Sequence, residues 1–374
     1  MATDLAVVTQ DPRFGGGVRT QLDAFLTAAR TLGRSPEACY VVHPSLRGLG
    51  MPGIGVSGAP GPASRIDALN TLVGAARLAP RVRDARSLWV VSTVASAGAG
   101  ALFSGRRYDC WIGTGIGDEW AARLPSLPRS RRLALRLNAP GLLALERRVL
   151  RGADAVYATT PASRASLAAA AGIPLERVGV LPIPVETERF APAPEAEWLS
   201  SLTAPTIAFV GRSDDPRKNV AMLLDAMPAI RRAVPDATVT LIGRPPRRPL
   251  PEGVEALGEV ASVADALRRA TLFVLPSLQE GFGIVAAEAL SCGVPVVTTP
   301  SGGPEELVRA SGGGRVLAGF DPDELAETVV SLLRDTDALA AMRRAGRAYV
   351  EAEHAPGRFQ ERLSRLLEYG GADA

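Results

Sequence analysis

Residues 271–306, TLFVLPSLQEGFGIVAAEALSCGVPVVTTPSGGPEE, carry the plan of the second half of the chain. The apolar run 272–275 reads as a buried strand, and Pro276-Ser277 ends it. Glu280 then precedes Gly281-Phe282-Gly283, and helical spacing follows from Ile284 to Leu290. Cys292-Gly293 stops that helix, residues 294–298 form a second strand, and Gly302-Gly303-Pro304 turns into a further helix. Strand, glycine loop, helix, strand is half of a doubly wound sheet, whose ligands gather at the carboxyl ends of its strands. Glycines beside a helix N-terminus leave backbone N–H groups free for an anion. Glu280 and Glu288, with Glu288 expected about two turns into the helix, suit hydroxyl groups, which donate to carboxylates. The residues point to a ligand with both phosphate and sugar hydroxyls.

Glu280-Gly281-Phe282-Gly283 with Glu288 resembles the E-x7-E element of retaining glycosyltransferases of family 4, which have the GT-B fold. A second element supports this. Residues 206–210 (TIAFV) read as a strand, followed by Gly211-Arg212-Ser213-Asp214-Asp215-Pro216-Arg217-Lys218 and a helix from Val220. Two cations in a turn at a strand's end can hold a diphosphate and stabilise the charge growing on it as it leaves. The lone lysine of the chain, Lys218, stands there among 42 lysines and arginines in all. This segment is similar to the family's G-R-x5-K element.

The first half opens in the same way. Residues 5–9 (LAVVT) form a strand, Phe14-Gly15-Gly16-Gly17 a turn, and residues 18–32 an amphipathic helix. The glycines permit a tight turn. The resemblance implies more, namely that Gly16 and Gly17 face the donor phosphates. The pattern is not G-x-G-x-x-G and has no acidic partner about twenty residues on, so a dinucleotide site is unsupported. Strands are expected at residues 39–43, 88–92 and 110–112, with an irregular loop over 44–64. Gly113 to Glu119 (GTGIGDE) reads either as a plain glycine connection or as an acceptor surface with Thr114 and Asp118 as polar handles. Many family members place a histidine near here, whereas this chain has just His43 and His354. Residues 123–151 interleave arginines with leucines. They read as a long amphipathic helix with a solvated face, broken at Pro140, or as a surface for anionic lipid or an acidic acceptor. Pro182-Ile183-Pro184-Val185-Glu186, then Phe190, keeps the frame of the family's P-N-G-V-D-x-x-x-F, with Asn, Gly and Asp replaced.

The 374 residues suit two domains. The proline- and alanine-rich stretch 191–204 marks the expected boundary: an acceptor-side Rossmann-like domain at 1–192, a nucleotide-sugar domain at 193–356, and a helix at 357–374 that in this fold crosses back to the first domain. No long uncharged apolar run spans a bilayer, and the N-terminus lacks a secretory n-region. Three well-separated cysteines fit reduced, buried thiols, so a cytoplasmic location is expected, with peripheral membrane contact through 123–151. The net charge of +3 does not imply nucleic acid.

The expected fold is therefore α/β, GT-B, with two Rossmann-like domains facing a cleft. The resemblance implies retaining transfer of a sugar from a nucleoside diphosphate donor, UDP rather than GDP, to an acceptor hydroxyl. Arg212, Lys218 and Glu280 are the expected catalytic residues, with Glu280 on the sugar hydroxyls. Gly281, Phe282 and Gly283 would meet phosphate and sugar, Glu288 the ribose, and Val260, in the strand and loop 254–260, the base. No D-x-D motif lies in a suitable loop, and transfer without metal or other cofactor is expected. The alternatives are a GT-B phosphorylase or epimerase, and a non-catalytic nucleotide-sugar-binding protein.

Overall fold

The computed structural model describes residues 4–12, 16–42, 56–60, 67–124 and 129–369. The chain divides into a first unit, residues 1–183 with 357–374, and a second, residues 184–356.

The first unit is a parallel seven-stranded sheet in the order β3-β2-β1-β4-β5-β6-β7. Its strands are β1 (Leu5–Thr9), β2 (Pro36–Val42), β3 (Val56–Pro60), β4 (Ser87–Ser92), β5 (Asp109–Ile112), β6 (Val156–Ala158) and β7 (Val178–Val180). Its helices are α1 (Gly16–Thr31), α2 (Asp67–Val82), α3 (Ala99–Ser104), α4 (Ile116–Arg123), α5 (Arg129–Gly152) and α6 (Pro161–Ala171). All of β1 is buried, as its unbroken apolar run requires of a central strand covered on both faces. Phe25 of α1 packs on Trp89 and Trp111, and the Trp111 indole donates to the Leu181 carbonyl at 2.7 Å.

The second unit is a parallel six-stranded sheet in the order β10-β9-β8-β11-β12-β13. Its elements run α7 (Glu195–Ser201), β8 (Thr206–Val210), α8 (Val220–Ala233), β9 (Thr238–Ile242), β10 (Val254–Gly258), α9 (Val263–Arg268), β11 (Leu272–Leu275), α10 (Ile284–Ser291), β12 (Val296–Thr298), α11 (Gly303–Ser311), β13 (Gly314–Val316), α12 (Pro322–Leu333) and α13 (Thr336–His354). The last helix, α14 (Pro356–Tyr369), groups from Gly357 with the first unit, where Phe359 packs on the Trp111 ring at 5.0 Å.

Four expectations change. The boundary falls at 183/184 rather than 192/193, because side chains tie the intervening segment to the second unit. Arg347 donates to the carbonyls of Thr187 and Phe190, each at 2.9 Å, and Val185 N donates to the His354 carbonyl at 2.8 Å. The stretch 191–204, proline-rich enough to read as a linker, contains α7, anchored by the buried Trp198 beneath the Arg343 guanidinium. α5 runs through Pro140 unbroken. Part of the expected 44–64 loop is strand β3, and the remainder, with His43, lies outside the described residues. Among the described residues no helix is long and apolar enough to cross a membrane.

Candidate active site

In each sheet the strand order reverses at one point, between β1 and β4 in the first and between β8 and β11 in the second. A crevice opens at such a point because the flanking helices lie on opposite faces. In the second unit the opening is wide. β8 and β11 pair only through Ile207 with Leu272 and Ala208 with Phe273, although both strands continue.

Two loops close over that point. The loop after β8 turns at residues 216–218, where the Asp215 carboxylate accepts from Arg217 N at 3.1 Å and Pro216 fixes the first position. The loop after β11 carries Ser277 to Gly283. A backbone bond from Leu278 N to the Arg217 carbonyl, 2.7 Å long, joins the loops. The Lys218 ammonium then donates to Glu280 Oε1 at 2.6 Å, and the Ser277 hydroxyl donates to the same oxygen at 2.7 Å. Both members of the ion pair are largely shielded, with 17% and 15% of their side chains exposed. Such a charge-assisted bond in a partly desolvated site holds both groups in one geometry.

Arg212 differs. It pairs with Asp215 at 2.8 Å, yet 54% of its side chain remains exposed, so its guanidinium keeps donors open to a ligand. Asp215 also pairs with Arg217 and lies below the usual carboxylate range; burial opposes this, and the two arginines with the Arg217 amide outweigh it.

The glycine turn is held by close backbone packing. Gly283 takes φ +81° as the residue before α10, and a Cβ there would sit 2.4 Å from Pro304 Cγ. A Cβ on Gly303 would sit 2.4 Å from the Gly281 carbonyl oxygen. Glu280 bridges to Gly302, its N donating to the Ser301 carbonyl at 2.8 Å. The turn is thus seated on the loop after β12, with the N-terminus of α10 behind Gly283. Phe282 is buried against the His354 ring at 5.4 Å.

Glu288 lies one turn into α10, not two, since it is the fifth residue of a helix that begins at Ile284. Burial, opposed by Arg189 and reinforced by Glu186, raises its carboxyl to about 7. Glu186 and Arg189, which pair at 3.3 Å, were missed as site residues. Their signal was the kept frame from Pro182 to Phe190 with its altered polar residues. Val260 is half-buried two residues beyond β10, next but one to β8 in the sheet.

In the first unit a bond between uncharged groups spans the reversal point, and the buried Asp11 lies two residues beyond β1. In that bond the Thr93 hydroxyl donates to Gln10 Oε1 at 2.5 Å. Gly16, at φ +58°, and Gly17 open α1, both exposed. Thr114 is buried, its N donating to the Thr93 carbonyl at 2.9 Å. Asp118 is not in a glycine connection as expected but in the first turn of α4, exposed. A further residue went unnoticed: Glu146, the one acid in the 24-residue α5, is buried and accepts from Ile116 N at 3.0 Å. Its isolation among arginines was the available signal.

Residues 204–335 match the family described as glycosyl transferases group 1. The GDP-mannose-dependent monoacylated alpha-(1-6)-phosphatidylinositol monomannoside mannosyltransferase of Corynebacterium glutamicum is 36% identical over 212 residues, which cover 50% of this chain and 55% of that protein. The chain spans about half the length of the curated relatives it matches. Sucrose-phosphate synthase from Thermosynechococcus elongatus superposes with a TM-score of 0.77 over 98% of each chain at 18% identity. Anabaena HepE in complex with UDP superposes with a TM-score of 0.74 over 98% of this chain and 100% of that one, also at 18% identity. The superpositions show that the chain has the GT-B fold, and its second unit, over residues 204–335, is similar to the glycosyl transferases group 1 family.

Proposed function

We propose that the chain transfers a sugar from a nucleoside diphosphate sugar to an acceptor hydroxyl, with retention at the anomeric carbon and without a metal. The observation that carries this reading is the Lys218–Glu280 pair bridging the two loops at the second unit's reversal point, beside a glycine turn and a helix N-terminus. The diphosphate lies on the Gly281–Gly283 turn, Lys218 and Arg212 neutralise it, and Glu280 and Glu288 accept from sugar and ribose hydroxyls. Val260 borders the base. The bond from C1 to the phosphate oxygen breaks, the bond from C1 to the acceptor oxygen forms on the same face, and the acceptor proton passes to the departing phosphate. The two cations supply the charge stabilisation that a divalent ion provides elsewhere.

GDP-mannose is the donor we favour, because the Corynebacterium glutamicum relative and its Mycolicibacterium smegmatis counterpart are described as GDP-mannose-dependent. That departs from the UDP expected from the motifs. Those relatives also point to an inositol-lipid acceptor. The first half of α5 suits an anionic membrane: Leu133 and Leu137 are 61% and 75% exposed, Arg129, Arg132 and Arg136 accompany them, and no acid precedes Glu146. The test is a melting-temperature screen of GDP-mannose, UDP-glucose, GDP and UDP, followed by transfer to phosphatidylinositol in micelles. Stabilisation by GDP-mannose and mannosyl transfer support the reading; no shift with any of the four contradicts it.

A further inference from the structure

The turn after β5 is held from every side. The Thr159 hydroxyl, after β6, donates to the Gly113 carbonyl at 3.2 Å, and Gln21 of α1 donates to the Trp111 carbonyl at 3.0 Å. A Cβ on Gly115 would meet the Ser166 hydroxyl of α6 at 2.7 Å. Gly115 is the residue before α4 and has no side chain to cap it. The capping bond comes instead from another helix, as Glu146 Oε1 accepts from Ile116 N at 3.0 Å.

Glu146 is 1% exposed, and its Oε2 has no hydrogen-bond partner among the described residues. Ile116, whose amide it holds, belongs to an apolar cluster with Val94, Leu142 and the half-buried Trp120. A buried carboxyl with an idle oxygen is costly, and an apolar side chain of similar size would avoid that cost. If the residue were there only to fill space, leucine would serve better. Burial and the neighbouring Asp118 raise the carboxyl to about 7, and the Ile116 amide only partly offsets them. Near neutral pH the group therefore holds a proton much of the time, with Oε1 left to accept.

We infer that Glu146 is a positioning residue of the acceptor side: it fixes the start of α4, and with it Thr114 and Asp118, to receive the hydroxyls of a polyol acceptor. This rests on the reading that the first unit takes the acceptor, and it assigns Glu146 no part in holding the donor. Glu146 acts through the turn and does not touch the reacting atoms.

The test compares Glu146→Gln, which keeps an acceptor oxygen for Ile116 N, with Glu146→Leu, which removes it while filling the space. Transfer from GDP-mannose to phosphatidylinositol micelles is measured beside the GDP-mannose Kd. Glu146→Leu should raise the KM for phosphatidylinositol at least tenfold while leaving the GDP-mannose Kd within twofold. Glu146→Gln should stay within threefold of the parent in both. An unchanged acceptor KM in Glu146→Leu, or a donor Kd that weakens in parallel, overturns the assignment. If the parent transfers nothing to phosphatidylinositol, the acceptor class proposed above fails, and amide exchange decides the role of Glu146 separately. Exchange over residues 116–119 should be at least tenfold faster in Glu146→Leu and near parental in Glu146→Gln; equal exchange in all three overturns the assignment.

Discussion

The two sheets share one plan and differ at the place where each reverses its strand order. In the second unit an ion pair, Lys218 with Glu280, spans that place; in the first a neutral bond, Thr93 to Gln10, spans it. The strands there part after two paired residues in the second unit, while β1 and β4 pair through four. The difference teaches that the fold supplies two crevices and the side chains decide which one takes an anion. Charge-bearing turns suit the second to the diphosphate we propose for it. The first carries hydroxyls, an amide and two buried acids, Asp11 and Glu146.

The sharpest way to break this comparison is to remove the charge. Lys218→Ala should lower turnover roughly 10²-fold or more, because it would delete the cation we propose meets the leaving diphosphate and would remove the ammonium partner of Glu280. Arg212→Ala should cost less, about tenfold or somewhat more, since its guanidinium is more exposed and more strongly screened. Near-parental turnover in both variants would remove the basis for calling the second unit catalytic. Gln10→Ala, in the first unit, should leave GDP-mannose affinity within a few-fold.

Backbone packing gives the next test. In Gly303→Ala the new methyl would meet the Gly281 carbonyl at 2.4 Å. That should destabilise the protein by roughly 2–3 kcal/mol and loosen the turn that receives phosphate. Denaturant unfolding and a GDP-mannose titration would read both effects. Gly16→Ala has open space but a φ of +58°, so its smaller cost would come from backbone strain alone.

The acids on the two sides separate by pH. Burial raises the Glu288 carboxyl to about 7, and the ribose hydroxyls we propose it accepts from would favour its ionised form. GDP-mannose affinity should therefore rise with pH through about 7 and level off above it, approaching about a tenfold loss per pH unit below. Glu288→Gln should flatten that profile. Glu146 affects stability instead. Its folded value of about 7 exceeds its ordinary 4.5, so its contribution is fully present below 4.5 and is lost as pH rises through 7. Glu146→Gln should make unfolding stability less dependent on pH in that window, as equilibrium denaturation at pH 5 and pH 8 would show. The smallest effect expected is at the membrane. Leu133→Ser with Leu137→Ser should weaken binding to phosphatidylinositol-containing vesicles several-fold and leave soluble donor binding unchanged.

How far the sequence foretold this follows the same divide. The second unit was readable because its chemistry sits in short local patterns: glycines that must turn, one lysine among arginines, and two glutamates on a fixed spacing. What could not be read was pairing at a distance. Lys218 and Glu280 are 62 residues apart, and nothing local says that each is the other's partner. In the first unit the decisive contact, Ile116 with Glu146, also spans 30 residues and joins a glycine-rich turn to a helix that looked merely basic. The boundary was misplaced for a related reason. Proline content suggested a linker over 191–204, whereas guanidinium-to-carbonyl bonds from Arg347 to Thr187 and from Arg343 to Ala193 fasten the chain before and within that stretch to the second unit. The helix at Pro140 likewise ran on, since packing from Leu142 onward outweighs one lost backbone bond.

The measurement that bears most directly on the central claim is a crystal structure of the chain grown with GDP-mannose. The account predicts the diphosphate on the Gly281–Gly283 turn, with Lys218 and Arg212 within hydrogen-bonding distance of its oxygens. A nucleotide lodged instead beside Gln10 and Thr93, with Lys218 still closed on Glu280 and remote from phosphate, would contradict it.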